Sequence, residues 1–320
     1  MCGLNPRPDG RKRASLPRGS QLSRASARCR GFAWSAALES MAVLLAASPA
    51  GCVPGAPLPA KAIALNRDGA IALTQGDLSV AEARIALALE YSPRFTEAWV
   101  NLGLIELERA NFERARRALV KARDLNPDLP APHHALGLIA ERQGRSGEAE
   151  GHYRAALKVD PGFAPARINL ARSLFDRGAL EDAREQFLRL TQVAPDLAEG
   201  WAGLCDSLLR LQRIDDADDV LGDAIARFGR TPRLAIMDAR LLLQRNAFSD
   251  AEERLESLTD DPNRAQAAEA FAWLAIARLG EGDSVGAVAA ARRALAIAPH
   301  LEVARFALRS AHAIETPSAR

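Results

Sequence analysis

Aromatic residues are scarce in this chain: Phe, Trp and Tyr make up 5% of its 320 residues. The strand-favouring residues Val, Ile, Thr and Tyr are also few beside alanine and leucine, which argues against a β-rich fold and for an all-helical one. There are four cysteines, Cys2, Cys29, Cys52 and Cys205. The body keeps no even, spaced set of them, so a disulfide framework is excluded, and no CxxC pair offers metal-ligand spacing. A long apolar run is missing from the N-terminal region. Met41–Ala47 is unbroken, but seven residues cannot span a bilayer as a helix. Glycines and prolines do not cluster in the body; they recur singly, as punctuation between helices. No glycine-rich phosphate loop is present, since GEGDSVG (280–286) reads as a turn between two helices. No Ser/His/Asp or Cys/His set has a motif around it, so the chain is not expected to be an enzyme, and no cofactor or metal is expected.

Charge is present but unevenly placed. The net charge of +2 hides a basic head: residues 1–30 carry eight Lys/Arg side chains against Asp9 alone. The body beyond residue 51 is mildly acidic and mixed, which excludes a nucleic-acid-binding surface. The head is a separate object, a leader over residues 1–51. Arg28 and Arg30 flank GFAWSAALESMAVLLAASPAG, and the apolar run ends in Ala50-Gly51-Cys52. This end resembles a bacterial lipoprotein signal, in which the cysteine is acylated and becomes the new N-terminus. Pro49 stands where that family prefers leucine. Three readings stay open: a lipid on Cys52, a cleaved secretory signal without lipid, or an unprocessed leader with an ordinary thiol. Residues 52–61 then form a short tether.

From residue 62 the chain repeats itself. Ala81, Ala115, Ala149, Ala183 and Ala217 form one series, and Pro93, Pro127, Pro161 and Pro195 another; both step by 34 residues. That period and its small, large and proline slots resemble the tetratricopeptide repeat. The second unit shows the pattern as Trp99, Leu102-Gly103, Ala115, Leu119, Ala122 and Pro127. The third shows Leu136-Gly137, Ala149, Tyr153, Ala156 and Pro161. The fifth ends in Gly229 instead of proline, and the sixth is degenerate, with Asp238 in the leucine slot. The expected units lie near 62–95, 96–129, 130–163, 164–197, 198–231, 232–267 and 268–301, followed by a capping helix and tail at 302–320. The resemblance implies an all-α, right-handed superhelical solenoid of about seven helix pairs A and B. One pair cannot bury its own apolar face, so stacking supplies the core, and the last helix needs a polar outer side, which Arg305, Arg309 and His312 provide. Cys205 falls in a buried small-residue slot and is expected to be inert.

The resemblance further implies a protein-interaction scaffold whose inward helix A residues line a concave groove for a peptide or protein. Asn66, Arg67, Asn101, His134, Asn169, Arg172, Arg240 and Trp273 occupy such positions. Asn101 and Asn169 stand where the family often holds a ligand backbone, and Arg172 with Arg240 offers charge for a carboxylate. Two alternatives stay open: the asparagines bond to a neighbouring unit, or the arginines pair with Asp176, Asp206 or Glu199. His133 and His134 are consecutive on a helix, so their side chains point apart. With Cys52 acylated, the scaffold would work in the periplasm, anchored to the outer membrane, assisting assembly of a multiprotein complex. Without a lipid it would be a soluble cytoplasmic adaptor. Solvated caps imply a monomer.

Overall fold

The computed structural model describes residues 57–315. Among them are fifteen α-helices and no strand. Two compact units divide the chain between Gly203 and Leu204.

The N-terminal unit holds four helix pairs: α1 (Ala60–Thr74) with α2 (Leu78–Tyr91), α3 (Thr96–Glu108) with α4 (Phe112–Leu125), α5 (Pro130–Arg142) with α6 (Ser146–Val159), and α7 (Ala164–Asp176) with α8 (Leu180–Val193). It also takes in the first residues of α9 (Ala198–Arg210). From α1 to α8 each helix packs on the next, and of the first helices α1 packs on α3 and α3 on α5. The small-residue slots explain how closely a pair can approach. A Cβ on Gly137 would sit 2.4 Å from the Tyr153 ring, and one on Gly103 would sit 2.6 Å from Leu119. Ala81, Ala115, Ala149 and Ala183 are buried opposite them.

Sequence sets the ends of each pair. The second helices stop at Ser92, Asn126, Asp160 and Ala194, each just before a proline and out of the helical region. Proline's ring disfavours helical geometry in the residue before it. The following first helix is then latched back. Trp99 Nε1 donates to the Pro93 carbonyl at 2.9 Å, and Trp201 Nε1 donates to the Pro195 carbonyl at 2.9 Å. Arg167 makes the same reach to Pro161.

The C-terminal unit holds the rest of α9, then α10 (Ile214–Phe228), α11 (Pro232–Gln244), α12 (Phe248–Glu256), α13 (Arg264–Glu281), α14 (Ser284–Ile297) and α15 (Glu302–Glu315). The degenerate sixth repeat shows in α12, which has nine residues where other second helices have fourteen or fifteen. Helix α13 begins at Arg264, inside the span expected for the sixth unit, because Asn263 caps it by accepting from the Ala265 and Gln266 amides. Gly282 at φ +87 ends α13, and Asp283 caps α14 through the Gly286 amide at 2.9 Å. Helix α15 lays Val303, Ala304, Ala307 and Ala311 against the core of this unit, while Arg305, Arg309 and His312 are exposed.

Candidate protein-binding site

The first helices carry every expected groove residue among the described residues; Cys52 lies outside them. Most of these side chains turn out to be committed. Asn66 and Asn101 are both buried, and Asn101 Nδ2 donates to Asn66 Oδ1 at 2.9 Å. His134 and Asn169 repeat the arrangement two units on, with Asn169 Nδ2 2.8 Å from His134 Nε2. An amide N–H only donates, so the ring nitrogen accepts. The partners in both pairs are 35 residues apart, one more than the repeat. These four residues therefore tie successive first helices together below the surface. Of the two alternatives left open for the asparagines, these contacts fit the bond to a neighbouring unit, although Asn101 Oδ1 keeps no hydrogen-bond partner among the described residues.

His134 is wholly buried between Tyr153 and Phe163, each with its ring centroid 5.7 Å away. Burial pushes its pKa down to about 3, so it is a neutral packing residue. Tyr153 donates to Glu141 at 2.5 Å, and burial followed by that carboxylate holds the phenol well above its ordinary range. Neighbouring His133 lies only partly buried, so the two rings do part.

The arginines are also paired. Arg172 on α7 bonds to Glu199 at the start of α9. Arg240 on α11 is buried, bonds to Asp206 at 2.5 Å, and lies 4.8 Å over the Trp273 ring. Burial by itself would lower the Arg240 pKa; Asp206 and Glu269 outweigh it and raise the value. A guanidinium held by a carboxylate on one side and an indole face on the other is a structural cross-link between helices. Arg67 is different: it is exposed and touches only its neighbour Asp68, at 3.3 Å. Of the expected residues in the N-terminal unit, Arg67 is exposed and Arg172 half-buried, and Phe175 and Glu199 are half-buried as well.

Sequence reading missed two buried carboxylates. Glu150 accepts from Ser173 at 3.1 Å and pairs with Arg177 at 2.8 Å and Arg154 at 3.0 Å. Glu106 accepts from Asn111 at 2.8 Å. Ladder pairs such as Glu108–Arg142 at 2.8 Å and Asp206–Arg240 were findable, since opposite charges recur there one period apart. Cys205 is fully buried, its Sγ 3.7 Å from the Ala217 carbonyl, and burial pushes the thiol up to about 12. Among the described residues, no group of three or more His, Cys, Asp or Glu side chains is placed to hold a metal ion. No helix among them is long and apolar enough to cross a membrane.

Pairs of helices joined by tight turns, with small-residue approach slots and proline stops at a 34-residue step, define a helical repeat protein built to present surface. Family profiles described as tetratricopeptide repeat match residues 69–130, 140–208 and 236–302. The chain belongs to the tetratricopeptide repeat proteins.

Among curated proteins it is similar to the type IV pilus assembly protein PilF of Pseudomonas aeruginosa, 24% identical over 159 residues, covering 49% of this chain and 63% of that one. It is also similar to the cellulose synthase 2 operon protein C of Komagataeibacter xylinus, 26% identical over 209 residues, covering 62% of this chain and 16% of that one. The match thus spans less than two thirds of either relative. Among solved structures, a tetratricopeptide repeat protein from Parabacteroides merdae superposes with a TM-score of 0.58 at 15% identity, covering 79% of this chain and all of that one. PilW, a type IV pilus biogenesis factor, gives 0.55 at 17% identity, covering 65% and 97%. At such identities the structural likeness carries the fold alone.

Proposed function

We propose that this chain is a non-enzymatic scaffold of the bacterial envelope that holds a protein partner on the first-helix face of its repeats and assists assembly of a multiprotein complex. The observation that carries the reading is the surface left on that face once the buried pairs are accounted for. Arg172 and Phe175 stand one turn apart on α7, half-exposed, with Glu199 beside them, and Arg67 is exposed on α1. Charge next to an aromatic on a rigid repeat frame suits an extended peptide segment. The likeness in sequence to PilF, whose name places it in pilus assembly, supports the assembly role.

In this reading Cys52 is acylated, and Val53–Pro59 tethers the array to the outer membrane on its periplasmic side. The test compares full-length wild type with Cys52→Ala, each carrying a C-terminal tag, by membrane partition and mature mass. A lipid-shifted N-terminus at Cys52, lost in the variant together with membrane binding, supports the tether. Full-length, soluble material in both would move the scaffold to the cytoplasm as an adaptor.

A further inference from the structure

Three outward positions of the second helix carry opposite charges in two repeats. In the second repeat, on α4, they are Arg114, Arg117 and Lys121; in the fifth, on α10, they are Asp216, Asp219 and Asp223. The spacing is the same in both rows, because the positions are the same. The third repeat puts Glu148, Gly151 and Ala155 there, and the fourth and sixth carry acids at the first two positions only (Asp182 and Glu185 before Arg189, Asp250 and Glu253 before Ser257), so the full row of three carboxylates belongs to α10. All six side chains belong to exposed residues.

Each row is only partly neutralised at home. Arg117, Lys121, Asp219 and Asp223 have no ion-pair partner among the described residues. Arg114 reaches Glu106 only at 4.0 Å, and Asp216 meets Arg213 at 2.6 Å. Like charges three and four residues apart on a helix repel one another. The helix dipole favours Asp216 in the first turn of α10, yet its effect fades within that turn and does not reach Asp219 and Asp223. Each row therefore destabilises the lone chain, and a row of opposite sign would relieve it. Arg114 and Arg117 also border a shallow groove of about 460 Å³ with Phe112, Glu113 and Gln143, which gives an approaching side chain room.

We propose that the basic row of α4 docks on the acidic row of α10 of a second copy of this chain. The matched spacing lets each cation of one copy meet a carboxylate of the other when the two helices lie side by side. This differs from the monomer expected from solvated caps. The cap blocks stacking at the end of the array, whereas these rows lie on the outer faces of second helices. Because the two surfaces are different patches, the contact is of the heterologous kind. It is weak and salt-sensitive, since exposed charges are screened.

The test is sedimentation velocity on the full chain at up to about 100 µM, in about 20 mM and about 500 mM salt. Arg117→Glu/Lys121→Glu makes both rows predominantly acidic, and Asp219→Lys/Asp223→Lys makes both predominantly basic. None of these four residues has a described ion-pair partner to lose, and thermal melts check that both variants fold. Wild type is expected to self-associate at low salt and to weaken about tenfold or more at high salt. Each variant alone is expected to stay monomeric, and an equimolar mixture to associate again. A wild type that is monomeric at low salt overturns the proposal, as an acidic or basic partner of another kind would require. So do variants that associate like wild type, or a mixture that does not associate. If a reversed variant fails to fold, Arg117→Gln/Lys121→Gln takes its place, and undiminished association of that variant also overturns the proposal.

Discussion

Residue by residue, the inward polar side chains of the N-terminal unit act as joints. Asn66 with Asn101 and His134 with Asn169 each satisfy a buried polar group that would otherwise cost stability. His134 makes the joint pH-dependent. Its folded pKa, about 3, lies below the ordinary 6.5, so below pH 6.5 the unfolded chain binds a proton that the folded chain refuses. Stability therefore falls as pH drops from 6.5 toward 3, by about 1 kcal/mol per pH unit from this residue. His133 and His152 shift in the same direction, chiefly through burial, so the difference between proteins is what isolates His134. Denaturant melts of wild type and His134→Gln between pH 7 and 4.5 are expected to converge as pH falls. Parallel curves would show that the folded ring takes up its proton at the ordinary pKa, so that its burial does not hold it neutral.

Gly137 tests packing at the same scale: Gly137→Ala drives a methyl into the Tyr153 ring, at a cost of roughly 1–3 kcal/mol. A melting temperature at or above wild type would show that the ring moves aside freely. Sequence placed Gly137, Tyr153 and Cys205 correctly, because their slots follow from the period. It offered a bond to a neighbouring unit only as one alternative for the asparagines and did not name their partners, because those contacts run 35 residues, across two neighbouring positions of the repeat. Comparing like position with like position passes over them.

Among the elements, the turn inside each pair shows what a periodic backbone demands of a sequence that is not fully periodic. A residue with positive φ recurs at Gly76, Ala110, Gly144, Gly178, Gln212 and Asn246, one period apart, and again at Gly282. Glycine takes this left-handed conformation freely, and asparagine tolerates it; alanine and glutamine are strained in it. Their chain direction is imposed by the packed helices on either side. Gln212→Gly is expected to stabilise the protein by about 1 kcal/mol, since it relieves the strain and Gln212 is exposed. A melt showing no gain, or a loss, would mean that the bond from Gln212 Nε2 to the Leu209 carbonyl outweighs the strain. Helix ends before prolines were legible in sequence, as proline restricts the residue before it. The early start of α13 was not, since Asn263 resembles any other loop asparagine until its amides are counted.

At the scale of the molecule, a repeat array has a core only where one pair covers the next, so its last face is its weakest point. Helix α15 covers that face in the C-terminal unit. Leu301, Val303, Ala304, Ala307 and Ala311 are buried, and together with α13 and α14 they close an alanine-rich core. Small side chains let the helices approach closely but give each residue little apolar area, so loss of a whole helix is not made good by a few large neighbours. A chain ending at Pro299 would uncover the parts of α14 and α13 on which α15 packs. That chain is expected to melt several degrees lower, bind a hydrophobic dye and aggregate at concentrations where wild type stays clear. Retained melting temperature without dye binding would mean that α14 caps the array by itself, and that the exposed arginines of α15 serve contact with a partner.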